Sequence, residues 1–257
     1  MKTPPVTCIA TSDANSVTIR GQDLVNDLIG KIGFTEMIYF LIKGRKPTAV
    51  ETKVLDACLV TLMEHGFTPS ALVSRITADA VPSQVQVAMA AGLLTVGEVF
   101  VGTMEGCAEL LACGIQAPDS AAFCAETARD YLGARKPLPG FGHPFHKPDD
   151  PRAPRLFAVA REAGVEGRYI ALLEQLGQAV DKEAGKHLTI NATGAIGALL
   201  LEIGIAPDIM RAIAVISRCG GLAGHIMEER ATHSARTIWR LTEENIPYRT
   251  GEERDDA

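Results

Sequence analysis

The chain has 257 residues, 47% of them hydrophobic and 22% charged, which is the composition of a globular protein with enough apolar material for a sizeable core. Its net charge of −6 comes from interspersed acids and bases, and no apolar run reaches the roughly 20 residues of a membrane span, so we expect neither a nucleic-acid nor a membrane partner. The six cysteines form no CxxC pair and residues 1–10 lack the features of a secretory signal, which together predict reduced thiols and a cytoplasmic protein.

The predicted elements are helices, apart from one short strand near the start of the chain. Residues 16–20 alternate between polar and apolar positions before Gly21, which predicts that strand. Apolar residues then recur at helical spacing in four stretches, and these are 50–61, 85–96, 170–180 and 209–216. We expect Gly220 and Gly221 to break the last of these helices. The pattern predicts an all-α fold class.

Two segments interrupt the helical pattern. Residues 135–152 contain five prolines and two glycines and must form a loop, and residues 186–197 mix Thr, Asn and Gly. In the first segment, Gly140 and Gly142 would let backbone amides approach a ligand, and His143 can donate or accept a proton near neutral pH. A Pro-rich surface loop with a solvated histidine is the alternative. The concentration of Gly, His and Arg in one irregular segment favours the functional interpretation.

Three stretches of this sequence resemble the citrate synthase family. Residues 140–152, GFGHPFHKPDDPR, resemble the family signature, although Phe145 stands where the family usually has a small β-branched residue. Residues 64–70, EHGFTPS, with the segment AGLLTVG that follows at 91–97, resemble the citryl-CoA-cleaving C-terminal part of ATP-citrate lyase. Residues 217–229 resemble the Arg-Gly-His ending of the family. The likeness extends from about residue 20 to residue 248.

The resemblance implies a citrate synthase-like architecture. We expect a large helical domain from residues 1–108 and 198–257, and a smaller helical domain from residues 109–197. The implied cofactor is coenzyme A, as part of a thioester substrate, and no metal is expected. The implied partners are citryl-CoA, acetyl-CoA and oxaloacetate or similar small molecules, together with a second copy of the chain in a homodimer.

The resemblance also implies roles for particular residues. His143 would exchange a proton with the hydroxyl of the substrate, and Arg240 would act in the active site of the other subunit, supported by Tyr248. The implied catalytic residues are His143, His65 and Thr193; the implied substrate-binding residues are Arg152, Arg218, Arg240 and Phe100; and the implied CoA-binding residues are Gly140, Phe141, Gly142 and Lys147.

Several of these residues have an alternative interpretation. His65 comes at a predicted helix end, where a histidine could simply complement the helix dipole. Arg218 falls opposite Ile209 on the helical wheel, so it could lie on a solvated face. His225, followed by two glutamates, could suggest a metal ligand, but it lacks the HExxH pattern and a third defined ligand.

The sequence departs from the family at two positions. Phe100 stands where citrate synthases have a histidine that polarises the acetyl thioester, and this favours the citryl-CoA-cleaving branch. Thr193 stands where the family has its catalytic aspartate, and a hydroxyl is far too weak an acid to replace a carboxyl group near neutral pH. Three hypotheses remain open: cleavage of citryl-CoA or a related 3-hydroxy acyl-CoA, condensation of acetyl-CoA with a 2-oxo acid, and a catalytically impaired homologue that binds a dicarboxylate or CoA.

Overall fold

The computed structural model describes residues 4–99 and 101–248, and helices account for nearly all of its regular structure. The chain first forms a small antiparallel sheet with the strands β1 Ala10–Ser12, β2 Val17–Ile19 and β3 Gln22–Asp23. In this sheet Thr18 pairs with Thr11 on one side and with Asp23 on the other. The strand predicted over residues 16–20 is therefore confirmed as β2, and so is the all-α fold class.

Eleven α-helices follow within the described residues. They are α1 Phe34–Lys43, α2 Ala49–Met63, α3 Pro69–Ala80, α4 Val85–Leu93, α5 Thr103–Gly114, α6 Ser120–Gly133, α7 Arg152–Ala163, α8 Arg168–Ala184, α9 Ala192–Glu202, α10 Met210–Thr232 and α11 Ser234–Asn245. A short π-helical turn, Leu24–Leu28, follows the sheet, and a 3₁₀ turn, Pro207–Ile209, precedes α10.

The described chain falls into two contact units. The larger comprises residues 1–61 and 103–211, and the smaller comprises residues 62–102 and 212–257. The predicted domain boundaries lie within α5 and α9, and the predicted division into two domains stays a prediction. These two helices pack closely: a Cβ atom on Gly197 of α9 would lie only 2.8 Å from the carbonyl oxygen of Met104 in α5. Both flanks of residues 109–197 therefore stay in the larger unit.

In the larger unit, α9 is the central helix. Eight of its eleven residues are buried, and it packs against α5, α7 and α8. A helix that is apolar on all sides belongs in a core. Its N-terminus, capped by Asn191, consequently faces the irregular segments that surround it rather than bulk solvent.

In the smaller unit, α3 packs against α4, and Ala78, Ala88 and Ile226 form a small core with Met89. The prediction that Gly220 and Gly221 break a helix is wrong, because α10 continues to Thr232. These glycines instead allow a close approach: a Cβ atom on Gly221 would lie 2.1 Å from the carbonyl oxygen of Met63.

Among the described residues, one helix, over residues 207–232, is long and apolar enough to cross a membrane by length and composition alone, and 39% of an apolar 18-residue stretch within it is buried in the fold. A core helix of a soluble protein passes the same test, so a single helix is weak support for a membrane span. Two of its arginines, Arg211 and Arg218, donate to protein carboxylates, those of Glu105 and Glu64. The expected absence of a membrane partner stays a prediction.

Candidate active site

The two irregular segments predicted from the sequence lie side by side in the larger unit. Phe141 and Ile190 form an isolated antiparallel bridge. Around it, the backbone N–H of Gly142 donates to the carbonyl oxygen of Thr189 (2.8 Å), and the N–H of Asn191 donates to that of Gly140 (3.0 Å). This bridge fixes the Gly140–His143 stretch against the start of α9.

Glycine is required at this junction on both sides. Gly140 has a φ of +85°, and a Cβ atom there would lie 2.6 Å from Sγ of Cys107. A Cβ atom on Gly194 would lie 2.6 Å from the carbonyl oxygen of Gly140. Real Cβ atoms do not approach a backbone oxygen so closely, so this contact is possible only because both residues are glycines. Gly142, at a φ of +75°, takes up the next left-handed turn.

Thr193 belongs to a chain of hydrogen bonds with a fixed direction. Its hydroxyl donates to Oδ1 of Asn191 (2.7 Å), which also accepts the backbone N–H of Gly194 (3.0 Å). Since Thr193 gives its proton to Asn191, the 2.8 Å contact between the two hydroxyls must be donated by Thr103. The amide nitrogen of Asn191 then donates to the carbonyl oxygen of Gly142 (2.9 Å). Thr193 therefore stabilises the α9 N-terminus, and its catalytic role stays a prediction.

The tautomer of His143 follows from its neighbours. Its Nδ1 atom accepts the backbone N–H groups of Phe145 (3.2 Å) and His146 (3.0 Å), so the neutral ring carries its proton on Nε2. The ring also stacks on His146, with 4.3 Å between the centroids. Nε2 lies 3.4 Å from Nη2 of Arg152, and both atoms are donors. An imidazole N–H and a guanidinium N–H are thus adjacent, an arrangement that suits an oxygen of a carboxylate, hydroxyl or ketone.

Arg152 is held in place by Asp150. Nε and Nη2 of Arg152 donate to the two carboxylate oxygens of Asp150 at 2.9 and 2.8 Å, and the N–H of Ala192 donates to the same carboxylate at 2.9 Å. Asp150 is only 1% exposed. Burial alone would raise its pKa, but the hydrogen bonds from Arg152 and Ala192 outweigh it and lower the pKa to about 2. The predicted loop therefore presents a guanidinium whose orientation is already set.

The outer part of the loop is more exposed. Lys147 is exposed, as is Phe145 at 83%. His187, which the sequence analysis left without a role, lies between Asp181 (2.6 Å from Nδ1) and Asp149 (2.9 Å from Nε2). The hydrogen bond with Asp181, followed by that with Asp149, raises the pKa of His187. This histidine joins the end of α8 to the loop.

The smaller unit contains His65 and Arg218. His65 is exposed and lies two residues after the end of α2, and its backbone N–H donates to the side chain of Glu64 (2.8 Å). Arg218 is only 6% exposed, which excludes the solvated-face interpretation. It donates to the carbonyl oxygen of Met63 (2.9 Å), to the carboxylate of Glu64 (3.1 Å), and to the hydroxyls of Ser70 and Thr68. Its role in binding a substrate carboxylate stays a prediction.

The remaining predicted residues lie near the chain end or outside the described residues. The side chain of Arg240, on α11, is 62% exposed and pairs with Glu244 one turn later (3.0 Å). Tyr248 is 90% exposed. Phe100 lies outside the described residues. The larger unit thus brings together His143 and Arg152 from the prediction and adds Asp150 and Asn191, which the sequence analysis had not assigned.

Asp150 could have been found from the sequence, since it precedes Arg152 by two residues in the DPR ending of the loop. A carboxylate at that spacing can pair with the arginine within one turn. Asn191 also had a signal, because Asn before a helical run is a common N-cap. Thr103 had no such signal, since its contact with Thr193 spans 90 positions, and neither did the contact of His187 with Asp149, which spans 38.

The comparisons with known proteins agree on one family. The family model described as "Citrate synthase, C-terminal domain" matches residues 33–242. The citryl-CoA lyase of Hydrogenobacter thermophilus is 32% identical, with a TM-score of 0.86 and coverage of 96% of this chain and 94% of that chain. The ATP citrate lyase of Methanosaeta concilii, solved with (3S)-citryl-CoA, has a TM-score of 0.81 at 19% identity, covering 98% of this chain and 43% of that chain, which indicates the fold alone.

Among curated proteins, the citrate synthase of Heyndrickxia coagulans is 25% identical over 230 residues, which are 88% of this chain and 60% of that protein. The citrate synthase of Acidithiobacillus ferridurans is also 25% identical, over 75% of this chain and 50% of that protein. The chain therefore spans about half to three fifths of the length of the curated relatives it matches.

Proposed function

Because this chain belongs to the citrate synthase family, we propose that it cleaves citryl-CoA, or a closely related 3-hydroxy acyl-CoA, to acetyl-CoA and oxaloacetate. The observation that carries the proposal is the adjacent pair of donors, Nε2–H of His143 and Nη2–H of Arg152. The similarity to a citryl-CoA lyase over nearly the whole of both chains supports the same reaction.

In this reaction the substrate hydroxyl loses its proton, the bond between its carbon and the thioester α-carbon breaks, and a ketone and a thioester enolate form. The tautomer of His143 supports a role as donor to the oxygen that becomes the ketone, since Nδ1 already accepts two backbone N–H groups. Arg152 would hold a carboxylate of the oxaloacetate part. A group other than His143 would then accept the hydroxyl proton.

The α-carbon of the enolate must finally gain a proton to give acetyl-CoA. Relatives with an aspartate at the position of Thr193 have a carboxyl group for this step. The Thr193 hydroxyl donates to Asn191 and is a very weak acid, so we propose that water or another group delivers the proton. Loss of a general acid typically lowers the rate by about 10²- to 10⁴-fold.

Thr193 is also the observation that favours a second candidate, a catalytically impaired homologue that binds a dicarboxylate or CoA. The reverse condensation of acetyl-CoA with a 2-oxo acid is a third candidate, supported by the citrate synthases among the curated relatives. A coupled assay that follows CoA release from acetyl-CoA with several 2-oxo acids, and oxaloacetate release from citryl-CoA, separates the three.

The site assignment is tested with Arg152→Lys. Lysine keeps a positive charge beside Asp150 but lacks the planar fork that donates to both carboxylate oxygens of Asp150 and so fixes the N–H beside His143, and we therefore expect at least tenfold weaker binding of citrate by calorimetry. Arg155→Lys is the matched control, because Arg155 lies on the same helix, has a side chain that is 68% exposed and pairs with the exposed Glu162. Equal citrate affinities of the two variants would refute the assignment.

We propose a homodimer in which Arg240 serves the active site of the other subunit. The apolar side chains beside it on α11 support this, because Trp239 is 68% exposed and Leu241 47%. Ile246, just after the helix, is 70% exposed. Light scattering measures the oligomeric state, and mixing Arg240→Ala with Arg152→Lys chains tests the shared site: hybrid dimers regain activity only if Arg240 acts across subunits.

A cytoplasmic location is also part of the proposal. The six cysteines are free thiols, and burial raises the pKa of Cys107 to about 12 and that of Cys58 further. Such thiols remain protonated and unreactive at neutral pH, which suits a reducing compartment.

A further inference from the structure

We propose that His225 and Glu64 are positioning residues that hold the backbone of His65 in place for the reaction. This inference rests on the proposed function, together with the catalytic role that the family resemblance implies for His65. All of the residues that carry it belong to the smaller contact unit. His225 was considered from the sequence only as a metal ligand, and the structure indicates a different use.

A buried arginine determines which ring nitrogen of His225 carries the proton. Arg75 is 1% exposed, and its Nε atom donates to Nδ1 of His225 at 2.8 Å. A guanidinium group has no acceptor and keeps its protons, so Nδ1 must be the acceptor. The ring of His225 is therefore neutral, with its proton on Nε2.

The position of Arg75 is itself fixed. Nη1 donates to the buried carboxylate of Glu229 (3.2 Å) and to the hydroxyl of Ser234 (3.1 Å), and Nη2 donates to Glu228. The contacts with Glu229, Ser234 and Glu228 hold the guanidinium in the orientation that faces His225. The tautomer is thus imposed by the fold.

The Nε2 proton of His225 is directed at Glu64. The distance from Nε2 to Oε1 of Glu64 is 3.1 Å, and the His225 side chain is only 10% exposed. Because the other ring nitrogen is occupied by Arg75, this contact can only be a hydrogen bond donated by His225. Nη1 of Arg218 donates to the second carboxylate oxygen at 3.1 Å. Glu64 is therefore held from two directions.

Glu64 transmits this constraint to the residue that follows it. Its Oε1 atom accepts the backbone N–H of His65 at 2.8 Å and that of Gly66 at 2.7 Å. Gly66 has a φ of +74°, so the chain turns immediately after His65. Burial alone would raise the pKa of Glu64, but the hydrogen bond with His225 and the charge of Arg218 outweigh burial. The pKa is therefore lowered, and the carboxylate stays ionised as an acceptor.

Hydrogen bonds therefore connect Arg75 to His225, His225 to Glu64, and Glu64 to the amide of His65. A shift of about 1 Å in a substrate-contacting group can lower a rate about a hundredfold. His65 lies two residues after Met63, the last residue of α2. Beyond the end of that helix, the carboxylate of Glu64 accepts the N–H of His65.

The test compares two substitutions of His225. His225→Phe keeps a planar ring against Phe67, whose ring centroid lies 6.0 Å away, but removes both polar contacts. His225→Gln offers a carbonyl oxygen to Arg75 and an N–H to Glu64, and so restores the hydrogen-bond pattern. We expect His225→Phe to lower kcat for citryl-CoA cleavage about tenfold to a hundredfold and His225→Gln to recover most of it. A role in packing alone predicts the opposite order.

Two controls separate positioning from damage to the fold. His233→Gln changes a histidine of the same unit that is 58% exposed and faces Asp79, so its kcat should equal that of the unmodified protein. The Kd for CoA, whose proposed contacts are at residues 140–147, should not change in either His225 variant. If His225→Phe does not fold, Glu64→Ala takes its place with the same expected loss.

Amide hydrogen exchange makes the result independent of catalysis. His65 and Gly66 should exchange at least tenfold faster in His225→Phe than in the unmodified protein, and His225→Gln should restore their protection. If the unmodified protein does not cleave citryl-CoA, the proposed function fails, and the exchange rates alone decide the positioning role. Unchanged exchange at both amides in His225→Phe would overturn the inference, whatever the activity.

Discussion

Replacing Asp150 by asparagine tests how the candidate site is held together. The carboxylate of Asp150 accepts from Nε, Nη2 and the backbone N–H of Arg152, and from the N–H of Ala192. Asparagine has nearly the same shape, but its amide nitrogen would replace one of these acceptors. Whichever way the amide is oriented, two donors would then face another donor in a buried place.

The magnitude follows from the lowered pKa. A pKa of about 2, against an ordinary value of 3.8, means that the folded state favours the ionised form by nearly two pKa units. At 1.36 kcal/mol per unit, this corresponds to about 2 kcal/mol. We expect Asp150→Asn to lower the free energy of unfolding by about 2 to 3 kcal/mol at pH 7, and Tm by roughly 5 to 10 °C for a chain of this size.

Thermal unfolding of both proteins, followed by circular dichroism across pH, is the assay. Because the pKa of Asp150 is lowered by folding, its contribution is complete above pH 3.8 and disappears as the pH falls through about 2. The difference between the two proteins should therefore narrow between pH 4 and pH 2. Asp130→Asn, at an exposed position of α6, is the control and should change stability by less than about 0.5 kcal/mol. A difference that is absent at pH 7, or constant down to pH 2, would refute the reasoning.

Gly194→Ala would place a Cβ atom 2.6 Å from a backbone oxygen, so we expect a loss of about 1 to 3 kcal/mol in urea unfolding together with weaker CoA binding; Gly133→Ala, whose Cβ atom meets nothing within 4 Å, should cause neither. Gly221→Ala meets a backbone oxygen at 2.1 Å and should lower Tm, whereas Gly224→Ala in the same helix has open space and should leave Tm equal or higher. His187→Gln should destabilise the protein below pH 6.5, because folding raises the pKa of His187, and the difference should vanish as the pH rises above that raised pKa. Equal differences at pH 5 and pH 9 would contradict this last prediction.

Local signals in the sequence predicted much of the fold. Alternation before Gly21 gave the strand β2, and helical spacing gave α2, α4 and α8 within a few residues at their ends. The density of proline and glycine located the loop over residues 135–152. These features depend on neighbours a few positions apart, and periodicity and turn chemistry describe such neighbours well.

The wrong prediction at Gly220 and Gly221 and the open alternative at Arg218 share a different cause. Gly220 and Gly221 were expected to end a helix, but their purpose depends on Met63, which lies more than 150 positions away in sequence. Arg218 was open to interpretation as a solvated residue because its acceptors, Ser70 and Glu64, lie 148 and 154 positions away along the chain. Long-range packing decided both cases, and a single sequence does not display it.

In the candidate site, too, some features could be predicted from neighbouring residues and others depended on the folded structure. The type of chemistry at His143 and Arg152 was readable from one contiguous stretch of sequence. Which protons these groups carry was not, because the tautomer of His143 depends on where the backbone of residues 145 and 146 turns back. The use of the Thr193 hydroxyl likewise depends on the rotamer of Asn191.

The salt bridge between Arg152 and Asp150 has a consequence for how a product would leave. A guanidinium that is immobilised during folding spares an incoming dicarboxylate the entropic penalty of ordering it. The permanent anion behind it, however, offsets much of its positive charge, so the attraction for a dianion is tempered. In the proposed function these two effects oppose each other, since the fixed orientation strengthens the binding of a dicarboxylate product and the partly neutralised charge weakens it.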